Sequence, residues 1–132
     1  MQPLRFVPAL LLMASSLAGS AHAQVTQRVA FARGNDNTSV SGSITGRQYC
    51  DYLVGARAGQ RLGVSMITRG NGYFNILPPG SDQALYNSSS DGNDASGIVL
   101  PANGDYRIRV YSMGAAMRSS RPVRFQLSIM VM

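Results

Sequence analysis

From Asn103 to Val131 the chain alternates apolar and polar residues with a period of two, and that alternation commits this stretch to extended strands. Tyr106, Ile108 and Val110 fall on one side, and Arg107, Arg109 and Tyr111 on the other. After Ser112 to Pro122 the pattern resumes, with Val123, Phe125, Leu127, Ile129 and Val131 set against Arg124, Gln126 and Ser128. Successive side chains of a strand point to opposite faces, so each apolar set forms one row. The pattern predicts two antiparallel strands joined as a terminal hairpin and sharing one buried face. The connecting loop is basic, carrying Arg118 and Arg121, and Pro122 fixes its re-entry into the second strand. Loops held out by rigid strands are where function concentrates.

The preceding sequence repeats this design in shorter pieces. Val25, Val29 and Phe31 mark a first strand, and Gly34-Asn35-Asp36-Asn37 a turn. Ser39 to Ile44 is a second strand. Arg47 to Val54 is a third, with Tyr49, Asp51 and Leu53 on one face and Cys50, Tyr52 and Val54 on the other. Leu62, Val64 and Met66 alternate with Arg61, Gly63 and Ser65 in a fourth. Arg69 to Gly72 is a turn signal before the apolar strand Tyr73 to Leu77, which Pro78-Pro79-Gly80 stops. Ser81 to Gly97 is polar apart from Ala84-Leu85-Tyr86, and a brief strand at Gly97 to Leu100 leads to the turn Pro101-Ala102-Asn103-Gly104. No amphipathic helix is visible, and Ala115 to Arg118 has room for one turn. Seven to eight short strands separated by Gly and Asn turns imply an all-β fold, an antiparallel β-sandwich or jelly roll.

The first 23 residues stand apart from this pattern. Arg5 precedes the apolar run Phe6 to Ala18, and Ala21-His22-Ala23 before Gln24 has the small-x-small form of a signal-peptidase site. The apolar run is too short for a membrane span, and nothing later resembles one. The expectation is a signal peptide over residues 1–23 and one β-sandwich domain over 24–132, periplasmic or secreted. A single cysteine, Cys50, cannot form an internal disulfide and reads as a small buried strand residue. Monomer and homodimer are equally compatible with the sequence.

Charge excludes several functions. Beyond residue 23 the chain contains no Lys, no Glu and no His; eleven arginines face six aspartates, for a net charge of +5. Without His the commonest general base is missing, no Gly-x-Ser-x-Gly elbow is present, and an enzyme is not expected. No cofactor is implied. Asp91-Gly92-Asn93-Asp94 offers oxygen ligands suited to calcium but lacks the spacing and closing Glu of an EF-hand, and Asp and Asn make turns unaided. No metal site is expected. The sequons Asn37-Thr38-Ser39 and Asn87-Ser88-Ser89 indicate exposed loops. The positive charge suits an anionic polymer or an acidic groove on a protein, whereas export and the absence of a base-reading motif argue against nucleic acid. Arg107, Arg109, Arg118, Arg121 and Arg124 cluster in the terminal segment, with Tyr111 and Met113 beside them for apolar contact, a composition suited to an interface. The competing reading is that Arg118 pairs with an aspartate across the hairpin.

Four segments carry a family resemblance. Gly46-Arg47-Gln48-Tyr49-Cys50-Asp51-Tyr52, Ala58-Gly59-Gln60-Arg61-Leu62, Tyr73 to Ser81 and Leu100 to Tyr111 together resemble the bacterial periplasmic inhibitors of invertebrate-type and goose-type lysozymes. The similarity runs from about Ser41 to Val131 and is most specific at Arg109-Val110 and Ala116-Met117-Arg118. It implies a β-sandwich whose loops enter a lysozyme cleft, with Arg118 as the second loop arginine of the family pattern. Gly114 stands where that pattern has its first arginine, and Asn103 where it often has Ser before Gly104. The residues expected at the partner surface are Arg118, Tyr111, Met113, Arg121, Tyr49, Asn103 and Gly104. The expected function is inhibition of a lysozyme by a basic loop in its cleft. The alternative is an envelope-glycan or anionic-polymer binding module using Tyr49, Tyr52, Tyr111 and the arginines.

Overall fold

Two sheets carry the alternating rows. The computed structural model describes residues 24–132; the expected signal peptide lies outside the described residues. In chain order the strands are β1 (Val25–Arg28), β2 (Asn37–Ile44), β3 (Cys50–Ala56), β4 (Arg61–Thr68), β5 (Gly72–Leu77), β6 (Tyr86–Asn87), β7 (Asp94–Val99), β8 (Gly104–Ser112) and β9 (Val123–Val131). One sheet has the order β1-β3-β8-β5-β6 and the other β2-β9-β4-β7. All pairs are antiparallel except β1 with β3, which run parallel at the sheet edge.

The terminal hairpin does not form. β8 sits between β3 and β5 in one sheet, while β9 sits between β2 and β4 in the other, so the two longest strands face each other across the core instead of pairing. Alternation identifies the buried side of a strand but not its bonded neighbour. The ten residues between Ser112 and Val123 exceed the two to five of a usual hairpin loop and suffice to cross the roughly 10 Å between stacked sheets. They form an arch over one end of the sandwich.

The inward rows match the alternation. Tyr106, Ile108 and Val110 of β8 and Leu127 and Ile129 of β9 are almost fully buried, together with Leu62, Val64, Phe74 and Ile76. Tyr52 meets Phe125 edge-on at 6.1 Å between ring centroids, and Phe74 stacks on Tyr86 at 5.7 Å. Gly42 of β2 is needed at this contact, because a Cβ there would lie 2.7 Å from the Tyr52 hydroxyl and 2.8 Å from the Phe125 ring. Cys50 also faces inward, and burial, with the nearby Asp51 charge, pushes its thiol pKa up.

Local structure departs from the sequence expectation between Ser81 and Gly97. A single helical turn, α1 (Ser88–Asp91), follows β6, and β7 begins at Asp94 instead of near Gly97. One turn is too short to show a period, and the signal that holds it is one side chain: buried Ser88 accepts the Phe74 N–H through Oγ at 2.7 Å. Asp91 to Asp94 is the turn that closes α1, with Gly92 at φ 94° donating its N–H to the Ser88 carbonyl.

Tyr106 ties the far end of β8 to its own approach loop. Its hydroxyl donates to the Ala102 carbonyl at 2.7 Å and accepts the Ala102 N–H at 3.0 Å, the arrangement of a tyrosine corner. Tyr106→Phe keeps the ring but strands both backbone groups. The expected loss is about 1–2 kcal/mol, read in urea as a lower midpoint at unchanged slope.

Candidate functional site

The arch defines one end of the molecule. Register places it with the ends of several strands: Ile44 lies opposite Val123, Cys50 opposite Val110, Gly72 opposite Ser112, and Thr68 opposite Phe125. The turn before β3 and the turn Arg69 to Asn71 therefore flank the arch. Inside it, Gly114 to Arg118 form a 3₁₀ turn, Ala116 packs partly against the core, and the Ser119 hydroxyl accepts the Arg121 N–H at 3.0 Å. Gly46, at φ 61°, brings the β2–β3 turn against the arch, since a Cβ there would stand 3.4 Å from the Met117 carbonyl.

This end is strongly cationic. Arg118 and Arg121 lie in the arch, Arg47 and Arg69 in the flanking turns, and Arg124 is the first outward residue of β9; all five are exposed. The three ion pairs among the described residues use other arginines, so Arg118 does not pair with an aspartate. Arg28 grips Asp105 at 2.7 and 3.0 Å, Arg107 reaches Asp82 at 2.9 Å, and Arg109 grips Asp51 at 2.8 and 3.0 Å. The far end also carries Arg33, Arg57 and Arg61, none of them in these ion pairs, and Asp36. Between Pro122 and the turn at Arg69 runs an open groove of about 510 Å³, with exposed Ile67 on its wall.

Beside the arch, the outer face of the β8 sheet carries an ordered row of aromatics. Arg109 lies 4.4 Å over the Tyr49 ring, held there by Asp51, which is 1% exposed and also accepts from Gln24 at 3.2 Å. The hydrogen bonds that Arg109 donates to Asp51 raise its pKa above the ordinary value, so this charge is permanent. Tyr111 packs against Tyr73 at 6.1 Å, and its hydroxyl lies 3.0 Å from Asn75 Oδ1 and 3.2 Å from Asn87 Oδ1.

The structure therefore gathers five of the seven expected residues, namely Tyr49, Tyr111, Met113, Arg118 and Arg121, around the arch. Asn103 and Gly104 are not among them. They begin β8 at its other end, about 27 Å away at the rise of an extended strand. There Asn103 accepts the Ala58 N–H at 2.8 Å, and Gly104 sits at φ 136° where a Cβ would stand 3.0 Å from Pro79, both turn-building duties. Tyr52, included in the glycan-binding alternative, is 3% exposed and belongs to the core. Sequence reading did not bring in Arg47, Arg69 or Tyr73; the turn signals around Gly46 and Gly70 located their loops, but only the sheet order brings those loops to the arch. Gly114 adopts φ 63°, a backbone region that an L side chain enters at a cost, so the arch is built for glycine at this position.

The β-sandwich thus carries a cationic arch beside an ordered aromatic flank. No family model matches the chain. It is 28% identical over 125 residues, 93% of each chain, to the inhibitor of g-type lysozyme from Escherichia coli K12. It superposes with a TM-score of 0.75 and 32% identity on PliG of Aeromonas hydrophila, a periplasmic inhibitor of g-type lysozyme, covering 82% of this chain and 96% of that one. A variant of Escherichia coli PliG superposes with a TM-score of 0.67 and 27% identity, over 83% and 100% of the two chains. The chain belongs to the family of periplasmic inhibitors of g-type lysozyme. The periplasmic location expected from residues 1–23 agrees with that of these relatives, and no helix among the described residues is long and apolar enough to cross a membrane.

Two side chains beneath the arch make opposite predictions. Asp51→Asn would leave Arg109 with no countercharge and is expected to cost about 2 kcal/mol in urea unfolding. Ser112, at the foot of β8, is 4% exposed and its hydroxyl has no hydrogen-bond partner among the described residues. Ser112→Ala removes an unsatisfied buried group and is expected to raise stability by about 1 kcal/mol in the same assay.

Proposed function

We propose that this protein inhibits a g-type lysozyme by inserting the arch Met113 to Pro122 into the enzyme's active-site cleft, with Arg118 as the central anchor. The single observation that carries this reading is the set of five exposed arginines at one end of the sandwich, none of them in an ion pair, in a chain whose relatives inhibit that class of enzyme. A cleft that hydrolyses glycosides is lined with carboxylates. A guanidinium among them gains a charge-assisted, bidentate pair while its bulk excludes the glycan. Met113, just before the 3₁₀ turn, and Met117, within it, are exposed and supply adaptable apolar contact, and Tyr111 and Tyr49 extend the surface along the sheet. The protein itself performs no chemistry in this mechanism; it occupies the site.

Titration of goose-type lysozyme with the mature domain is expected to abolish activity at one inhibitor per enzyme, while chicken-type lysozyme stays active. Arg118→Ala is expected to weaken inhibition by about 2 kcal/mol or more, roughly 30-fold. Full potency in that variant would remove Arg118 from the interface. No inhibition by the wild-type domain, together with retention on purified peptidoglycan, would replace this reading with that of a glycan-binding module.

A further inference from the structure

Two of the arginines at the arch end stand face to face. Thr68 of β4 lies opposite Phe125 of β9, and one residue further on Arg69 comes opposite Arg124. The two segments stay together past that last pair, because the Thr68 hydroxyl donates to the Arg124 carbonyl at 2.9 Å and a Cβ on Gly70 would stand 3.3 Å from Val123. Arg124 points outward, since its neighbours Val123 and Phe125 are buried, and both arginines line the open groove of about 510 Å³ beside Pro122. Like charges directly opposite each other on neighbouring strands repel. Neither arginine is in an ion pair, and residues 67–72 and 119–126 contain no aspartate to relieve them. The pair is therefore set for an anion from outside. The same groove carries Ile67, which at 69% is the most exposed large apolar side chain among the described residues, and Met113 and Met117 are exposed at the same end.

We propose that this groove binds the phosphate of an anionic phospholipid headgroup, so that the arch end docks reversibly on a membrane surface. One phosphodiester between Arg69 and Arg124 accepts hydrogen bonds from both guanidinium forks and removes their repulsion. Ile67, on the wall of the same groove, meets the boundary between headgroups and acyl chains. A dissolved phosphate ion has no use for that apolar wall, and this selects a lipid as the occupant. Arg47, Arg118 and Arg121, exposed at the same end, face the neighbouring headgroups, where each basic side chain strengthens attraction to an anionic surface about fivefold. The periplasm, where the relatives reside, is bounded by membranes. No helix among the described residues crosses one, so the contact is peripheral. The end that meets the membrane is also the end proposed to meet the lysozyme, and the two occupants exclude each other.

The test is co-sedimentation of the mature chain from Gln24 with lipid vesicles, which needs no lysozyme and so stands or falls separately from the inhibitor reading. At about 0.1 M salt, saturable binding is expected to vesicles of equal parts phosphatidylglycerol and phosphatidylcholine, and none to phosphatidylcholine alone. Arg69→Gln combined with Arg124→Gln is expected to weaken binding about tenfold or more. Arg33→Gln combined with Arg57→Gln removes the same charge at the far end, beyond the Debye length of about 10 Å, and is expected to change binding less than about threefold. Ile67→Ser is expected to weaken it about fivefold. All five side chains are exposed, and an unchanged urea midpoint checks that each variant keeps the fold. No binding to the phosphatidylglycerol vesicles, or equal losses from the two arginine pairs, would overturn the proposal. So would full displacement by millimolar inorganic phosphate with no effect of Ile67→Ser, which would mark a site for a dissolved anion.

Discussion

The facing of two inward rows, Tyr106-Ile108-Val110 from β8 and Val123-Phe125-Leu127-Ile129 from β9, is the contact on which the molecule rests. Each row belongs to the central part of a different sheet, so each sheet presents an apolar surface that only the other can cover. With no disulfide among the described residues, this burial has to supply most of the favourable free energy of folding. Everything outside the core follows from it. The outer faces are released for polar networks, and the chain must cross from one sheet to the other at the end of β8.

The arginines divide according to that geometry. Those on sheet surfaces and edges, Arg28, Arg107 and Arg109, meet aspartates brought close by strand pairing or by a folded-back loop. Those at the crossing end meet none, because its turns carry no aspartate, and Arg33, Arg57 and Arg61 at the other end are unpaired as well. The Asp51–Arg109–Tyr49 stack lies at the boundary between the two groups and gives the arch a fixed neighbour. A surface set on a firm base has little conformational freedom to lose on binding.

Much of this was legible in the residues, and the failures have a common cause. Inward and outward residues of β3, β4, β8 and β9 follow from alternation, a property of the single strand, and Gly and Asn turns follow from local backbone preference. The pairing of β8 with β3 and β5, instead of with β9, depends on distant segments, and no period within the terminal stretch encodes it. For the same reason Met113, Arg118 and Arg121 were found as neighbours in sequence, Arg47 and Arg69 were not, and Asn103 and Gly104 were grouped with a loop that lies a whole strand away. The helical turn at Ser88 escaped because one hydroxyl at Phe74, not a pattern, sustains it.

The arch has its two feet in different sheets, and each foot is paired to a strand other than the one across the arch, Ser112 at the end of β8 to Gly72 of β5 and Val123 at the start of β9 to Ile44 of β2. A hairpin loop cut by a protease leaves strands bonded chiefly to each other. Here a cut anywhere between Met113 and Pro122 would leave both new termini anchored independently, with the core still closed above and below them. A loop mounted in this way can be nicked without dismantling the body that carries it. The molecule would then fail gradually, losing the shape of one loop while keeping its fold, its aromatic flank and the remaining cations of that end.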